Sequence, residues 1–300
     1  MSIINKPFSI TADTTISDVI NNTAFAGFGQ FIFPIKNKPD FDPNMRLCNI
    51  NTLLPYHNQS SINTNTTINV INYMLDEVNN GRKIFYDFYA DSQKRDDPGK
   101  KSTGLFFFRG RRGAPFAVIC AGGGFNYVGS IHGSYPIALE LSKKGYNAFS
   151  IEYRTGDKQK AIDDLAAALS YIFDNFETLQ IRAKNYSVWG GSAGAKMADA
   201  AGSGLVSFEG ANIPRPSMAV IAYTGIFGAK NYPPAFAIVS EDDSSYLIME
   251  QSIKEIRNAG IDVEYHKYKK AGHGFGLGIG SEAEGWINNA ILFWEKYISK

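Results

Sequence analysis

From about residue 81 the chain alternates short, wholly apolar runs with longer stretches in which apolar residues recur every three or four positions. APFAVICAGGG shows the pattern of a buried strand, SMAVIAYTG and PAFAIVS are apolar strands, and YNAFSIEYR and YSVWG read as strands between them. KQKAIDDLAAALSYIFDNF carries Ile162, Leu165, Ala166, Leu169, Ile172 and Phe173 along one helical face. YPIALELSKKG, stopped by Gly145, SAGAKMADAAG, YLIMEQSIKEIRNAG and GWINNAILFWEKYIS read as further helices, and DVEYHKYKKA as the last strand. Earlier, KIFYDFYA and TGLFFFRG are strand-like runs joined by a polar connection containing Pro98 and Gly99, which predicts a hairpin. Strands alternating with helices imply right-handed crossovers, and hence an α/β fold with a mostly parallel sheet covered on both faces. No internal repeat of fixed period is visible.

The first 80 residues follow no such rhythm. They are rich in Asn, Thr and Ser with scattered aromatics (Phe25, Phe28, Phe31, Phe33 and Phe41) and end in INVINYMLDEVNNG, an amphipathic helix closed by Gly81. Residues 1–80 are therefore set apart from a main domain over 81–300. Two arrangements are open for this region. Its aromatics, with Tyr56 and His57, fold over the strand ends as a lid that lines a pocket, or it packs as a strap along the flank of the sheet.

Composition narrows the function. Hydrophobic residues make up 44% and charged residues 20% of the 300, an ordinary globular balance. Lysine plus arginine is 30 against 29 acidic residues, a net charge of +1, and no long basic run breaks the balance, which argues against nucleic acid as a partner. The start, MSIINKPFSITADTT, lacks the apolar core of a secretory signal, and no segment reaches the roughly 18 apolar residues of a membrane span. Cys48 and Cys120 show no metal-type spacing and read as buried free thiols of a cytoplasmic protein. The sequon Asn185-Tyr186-Ser187 then carries no weight.

In an open α/β sheet, ligands bind beyond the carboxyl ends of the strands, and three such ends carry candidate chemistry. Gly190-Gly191-Ser192-Ala193-Gly194 fits G-x-S-x-G between a strand and a helix, the setting of a nucleophile elbow; the bland alternative is a small-residue packing corner. Gly122-Gly123-Gly124 ends an earlier strand and leaves backbone N–H groups free to face a substrate oxygen, as an oxyanion hole requires. A dinucleotide reading fails, because G-x-G-x-x-G would need glycine where Tyr127 stands, and no P-loop is present. KAGHGFG places His273 between glycines after the last strand. Of the other histidines, His266 lies inside a strand pattern; His57, in the irregular N-terminal region, and His132, shortly after the glycine run, could each touch substrate, with polar surface the safer reading. Glu241, Asp242 and Asp243 follow the strand PAFAIVS, where an acid either orients an imidazole or caps the next helix.

With AGGGF, GGSAG, SEDD and AGHGFG in this order, residues 81–300 resemble the α/β-hydrolase superfamily. The likeness is to its esterase/lipase branch with an HGGG-type oxyanion loop, as in hormone-sensitive-lipase-like and bacterial carbohydrate-ester esterases. The resemblance implies Ser192 as nucleophile, His273 as base and then acid, and Asp243 as the triad acid, with Asp242 as the alternative. It implies an oxyanion hole from the amides of Gly123, Gly124 and Ala193. The histidine of HGGG is replaced here by Ala121, so whatever that side chain fixes must be held otherwise. The implied activity is hydrolysis of a carboxylic ester, with a short acyl group and an acetylated or feruloylated carbohydrate among the substrates, through an acyl-enzyme that needs no metal or cofactor. A peptidase or amidase of the same fold, and a binding protein that has lost catalysis, remain as alternatives. The expected partner is a small-molecule ester; helix-flanked sheets of this kind often form homodimers, but the sequence leaves the oligomeric state open.

Overall fold

A computed structural model of the chain describes residues 9–35, 41–54, 62–228 and 231–299. The helix α1 (Ile16–Ile20) and several short 3-10 turns precede α2 (Thr64–Asn79). Asn63 caps α2 by accepting from the Thr66 N–H at 2.9 Å, and Val70, Ile71, Met74 and Leu75 form its buried face. Then come β1 (Phe85–Tyr86), α3 (Asp91–Asp96), β2 (Gly104–Phe108), β3 (Pro115–Cys120), α4 (Ser130–Gly133), α5 (Tyr135–Lys143), β4 (Asn147–Glu152) and α6 (Lys158–Asp174). The second half holds β5 (Arg182–Gly191), α7 (Ala193–Gly202), a small hairpin of β6 (Ser207–Phe208) and β7 (Ala211–Asn212), then β8 (Met218–Ala222), β9 (Ala235–Ser240), α8 (Tyr246–Asn258), β10 (Val263–Tyr268) and α9 (Trp286–Ile298).

Eight strands form one sheet in the order β1-β2-β4-β3-β5-β8-β9-β10. The β1–β2 and β2–β4 pairs are antiparallel; every other pair is parallel. The apolar runs are continuous because alternate residues serve opposite cores. Leu105 and Phe107 of β2, Val118 of β3 and Ile221 of β8 pack with α6, α7 and α8. Phe106 and Phe108, Ile119, and Val220 pack on the other face with α2, α5 and α9. The described part of the N-terminal region lies on this second face, where Ile16, Val19, Phe25, Ile32, Leu47 and Ile50 are fully buried.

The expected hairpin is much reduced. Only Phe85 and Tyr86 pair with β2, opposite Phe106 and Leu105. Beyond them Phe88 and Tyr89 turn into the opposite core, and α3 with the 3-10 turn Pro98–Ser102 fills most of the connection, so the alternation of KIFYDFYA is spent on packing rather than on a ladder. Cys120 is a buried free thiol as expected, but Cys48 is exposed, because the 3-10 turn that carries it buries Leu47 and Ile50 instead. No helix among the described residues is long and apolar enough to cross a membrane.

Candidate active site

The parallel strands β3, β5, β8, β9 and β10 all point their carboxyl ends to one edge of the sheet, and there the chain places its chemistry. Between β5 and α7 the backbone turns at Ser192 with φ 54° and ψ −119°, a conformation that non-glycine residues rarely hold and that costs about 1–3 kcal/mol. The turn is held by the Ser192 N–H donating to the Ala222 carbonyl at 3.0 Å. Its small neighbours follow from distance. A Cβ on Gly190 would lie 2.2 Å from the Gly194 oxygen, and one on Gly194 would lie 2.0 Å from the Cys120 oxygen. Helix α7 therefore approaches β3 and β5 so closely that a methyl group at either position has no room.

Ser192 Oγ lies 2.9 Å from His273 Nε2, and His273 Nδ1 lies 2.8 Å from Asp243 Oδ2. A carboxylate only accepts, so Nδ1 carries the proton, and Nε2 is the lone pair that takes the serine hydroxyl. The Asp243 side chain is wholly buried, and its other oxygen accepts the Ser245 N–H at 2.8 Å. Asp242 points elsewhere. It accepts from Ser240 Oγ and from the Gly272 N–H at 3.0 Å, which fixes the start of the histidine loop, and the Ser240 bond holds its carboxyl below the usual range. Of the two acids left open by the sequence, Asp243 faces the imidazole and Asp242 ties the loop.

The glycine run after β3 crosses directly over the serine: a Cβ on Gly122 would come 3.1 Å from Ser192 Cβ. Among the described residues, the N–H groups of Gly123, Gly124 and Ala193 donate to no protein acceptor. They are available to an oxyanion. Without a histidine at position 121, other groups hold the loop. Tyr153, 1% exposed at the end of β4, donates its hydroxyl to the Ala121 carbonyl at 2.7 Å. The Gly129 N–H donates to the Gly122 carbonyl at 2.9 Å, and the Asn126 N–H to that of Gly123, also at 2.9 Å.

A cavity of about 270 Å³ opens over Ser192 and His273, lined by the glycine run with Leu54, Tyr127, His132, Tyr223 and Ser244. His132 is not the surface residue its sequence suggests. Its Nε2–H donates to the Gly274 carbonyl at 2.6 Å, beside His273, and burial lowers its pKa. Tyr223, just past β8, meets the His273 ring edge to face at 5.4 Å and covers Gly191. The strand-end rule applied to Ser192 and His273 would also have flagged Tyr223; for His132 the signal is its place shortly after the glycine run, which left substrate contact open. His266 sits in β10, 2.9 Å from Glu264, as a sheet residue. Tyr56 and His57 lie outside the described residues. Among the described residues no group of three or more His, Cys, Asp or Glu side chains comes together as a metal site.

Sheet order, elbow and strand-end loops together define the α/β-hydrolase fold. Within it the BD-FAE family model matches residues 109–252, which include the glycine run, Ser192 and Asp243. Among solved structures, the chain is similar to an acetyl ester-xyloside bifunctional hydrolase from Caldicellulosiruptor lactoaceticus: TM-score 0.60, 20% identity, 71% of this chain and 95% of that one. A sugar hydrolase from Lactococcus lactis gives TM-score 0.57 at 19% identity over 66% of this chain and 95% of that one. An α/β hydrolase from a Medee basin deep-sea metagenome gives 0.56 at 22% identity, over 66% of this chain and 93% of that one. No curated protein sequence matches the chain.

Proposed function

We propose that the protein is a serine hydrolase of carboxylic esters. The observation that carries this is the continuous contact from Ser192 through His273 to Asp243, set beside three unengaged backbone amides. Ser192 Oγ bonds to the ester carbonyl carbon while His273 Nε2 takes its proton, and the oxyanion rests on the amides of Gly123, Gly124 and Ala193. The imidazolium, stabilised by Asp243, gives the proton to the departing alkoxide as the carbon–oxygen bond breaks. Water then attacks the acyl-enzyme with His273 again as base, and Ser192 recovers its proton. The cavity over Ser192 and His273 has room for a short acyl group. An acetylated or feruloylated carbohydrate fits this reading, which the acetyl ester-xyloside hydrolase and the sugar hydrolase among the similar structures support.

The test is hydrolysis of p-nitrophenyl acetate, butyrate and octanoate by the wild type and by Ser192→Ala. Activity that falls with acyl length and drops by several orders of magnitude in the variant is expected. Near-normal turnover by Ser192→Ala, or no activity together with failure of Ser192 to react with a fluorophosphonate, refutes the proposal.

A further inference from the structure

A second cavity, of about 180 Å³, opens between the N-terminal region and the end of β4. Its apolar walls are Phe31, Phe33, Tyr127 and Tyr153, and Tyr127 is also a wall of the cavity over Ser192. The two cavities are thus neighbours across one side chain.

At the back stands Glu152, 5% exposed. The hydroxyls of Ser130 and Tyr135 both lie on its Oε1, the latter at 2.9 Å, and neither bonds to Oε2. Oε2 is not among the buried atoms that lack a partner, so it is open to the cavity Glu152 lines, where a ligand hydroxyl can bond it in place of water. Burial pushes this carboxyl up to about 8, so near neutral pH it is an uncharged acid and exerts no pull on a cation. A hydroxyl suits Oε2 in either protonation arrangement, since it both donates and accepts. The charges nearby are balanced and occupied. Among the described lining residues, Arg154 binds Asp164 at 2.7 Å and Asp97 at 2.5 Å, and Lys160 lies at the exposed rim near Asp97. Aromatic walls, one inward polar group and little net charge describe a site for a neutral ring that bears hydroxyls. At about 30 Å³ per displaced water, the cavity has the room of roughly six.

We propose that this cavity is a second substrate subsite, which seats a single pyranoside ring on Glu152 while the ester attached to the ring reaches Ser192 past Tyr127. The assignment rests on the ester-hydrolase reading for its role and on Glu152 and the aromatic walls for its ligand. It gives the N-terminal region a part in selectivity, because Phe31 and Phe33 belong to it.

The experiment compares kcat/KM for a mono-O-acetyl methyl xylopyranoside with that for p-nitrophenyl acetate. Gln30→Trp fills the cavity from an exposed position, Glu152→Leu removes the inward polar group, and Glu152→Gln restores one. The sugar-to-nitrophenyl ratio is expected to fall about tenfold or more in Gln30→Trp and Glu152→Leu and to stay within about threefold of wild type in Glu152→Gln. An unchanged ratio in folded Gln30→Trp overturns the subsite even if Glu152→Leu fails to fold. If the wild type hydrolyses neither ester, the catalytic reading fails separately, and calorimetric titration with methyl xylopyranoside decides the cavity. Binding lost in Gln30→Trp supports it, and no binding to wild type overturns it.

Discussion

Replacing Tyr153 with phenylalanine isolates the hydroxyl that holds the start of the glycine loop. The substitution removes one oxygen and leaves the ring packed at the end of β4, so the perturbation is confined to the 2.7 Å bond to the Ala121 carbonyl. That carbonyl loses a buried donor, a cost of about 1–3 kcal/mol to stability. The rate consequence follows from position: Ala121 is bonded directly to Gly122, and the amides of Gly123 and Gly124 lie one and two residues further on. Loss of a whole oxyanion donor costs about 100- to 1000-fold in kcat. Here the donors remain but their anchor is loosened, so kcat should fall about 10- to 100-fold, with KM within about twofold because ground-state contacts survive.

The assay is steady-state hydrolysis of p-nitrophenyl acetate, paired with urea unfolding of the same preparations. The two readouts separate the explanations. A drop in kcat with unchanged KM supports a loop anchor that acts on the transition state. If stability falls by the predicted amount while kcat stays at the wild-type value, Tyr153 only packs and the reasoning is refuted.

Three further outcomes follow from the same geometry. Asp243→Asn should lower kcat by about four orders of magnitude by favouring the wrong imidazole tautomer, whereas Asp242→Asn, which touches only the loop, should cost far less; equal losses would show that the contact geometry does not assign the acid. Asp164 accepts from Arg154 Nε at 2.9 Å, from the Arg154 N–H at 2.7 Å and from Tyr89 at 2.6 Å, so Asp164→Asn should destabilise by about 3 kcal/mol or more, read by denaturant midpoint. Glu152 ionises near 4.5 in the unfolded chain and at about 8 when folded, so between these values the unfolded chain has released a proton that the folded protein keeps. Its contribution is complete below the lower value and is lost as pH rises toward the upper one, by at most about 1.4 kcal/mol per pH unit. Stability measured against Glu152→Gln should therefore decline from about pH 5 to about pH 8, and a flat difference would contradict it.

How far the sequence carried the reading depends on whether a residue's neighbours are set by the chain or by the fold. Gly190 was legible because a strand, a turn and a helix in immediate succession leave a Cβ there only 2.2 Å from the Gly194 oxygen, whereas Gly194 is also required by the fold, since a Cβ there would lie 2.0 Å from the Cys120 oxygen of β3. The central strands β3, β4, β8 and β9 were legible because each of their residues is buried, whichever face it serves. Asp242 and Asp243 were not separable: neighbours in one turn, they differ only in which way the backbone sends them. Tyr153 was hidden for the opposite reason. In sequence it is one more aromatic in an apolar strand, and its hydroxyl acquires a task only because β4 lies next to β3, whose end carries Ala121. The N-terminal region has no periodicity to read because short turns insert its apolar side chains one at a time, as Phe25, Ile32 and Leu47 do. The same irregularity lets it reach two places at once, with Leu54 in the cavity over Ser192 and Phe31 in the cavity over Glu152. A regular helix over those residues would present one face to one neighbour. An irregular strap can line both cavities, and that makes it the element through which selectivity can change while the triad stays fixed.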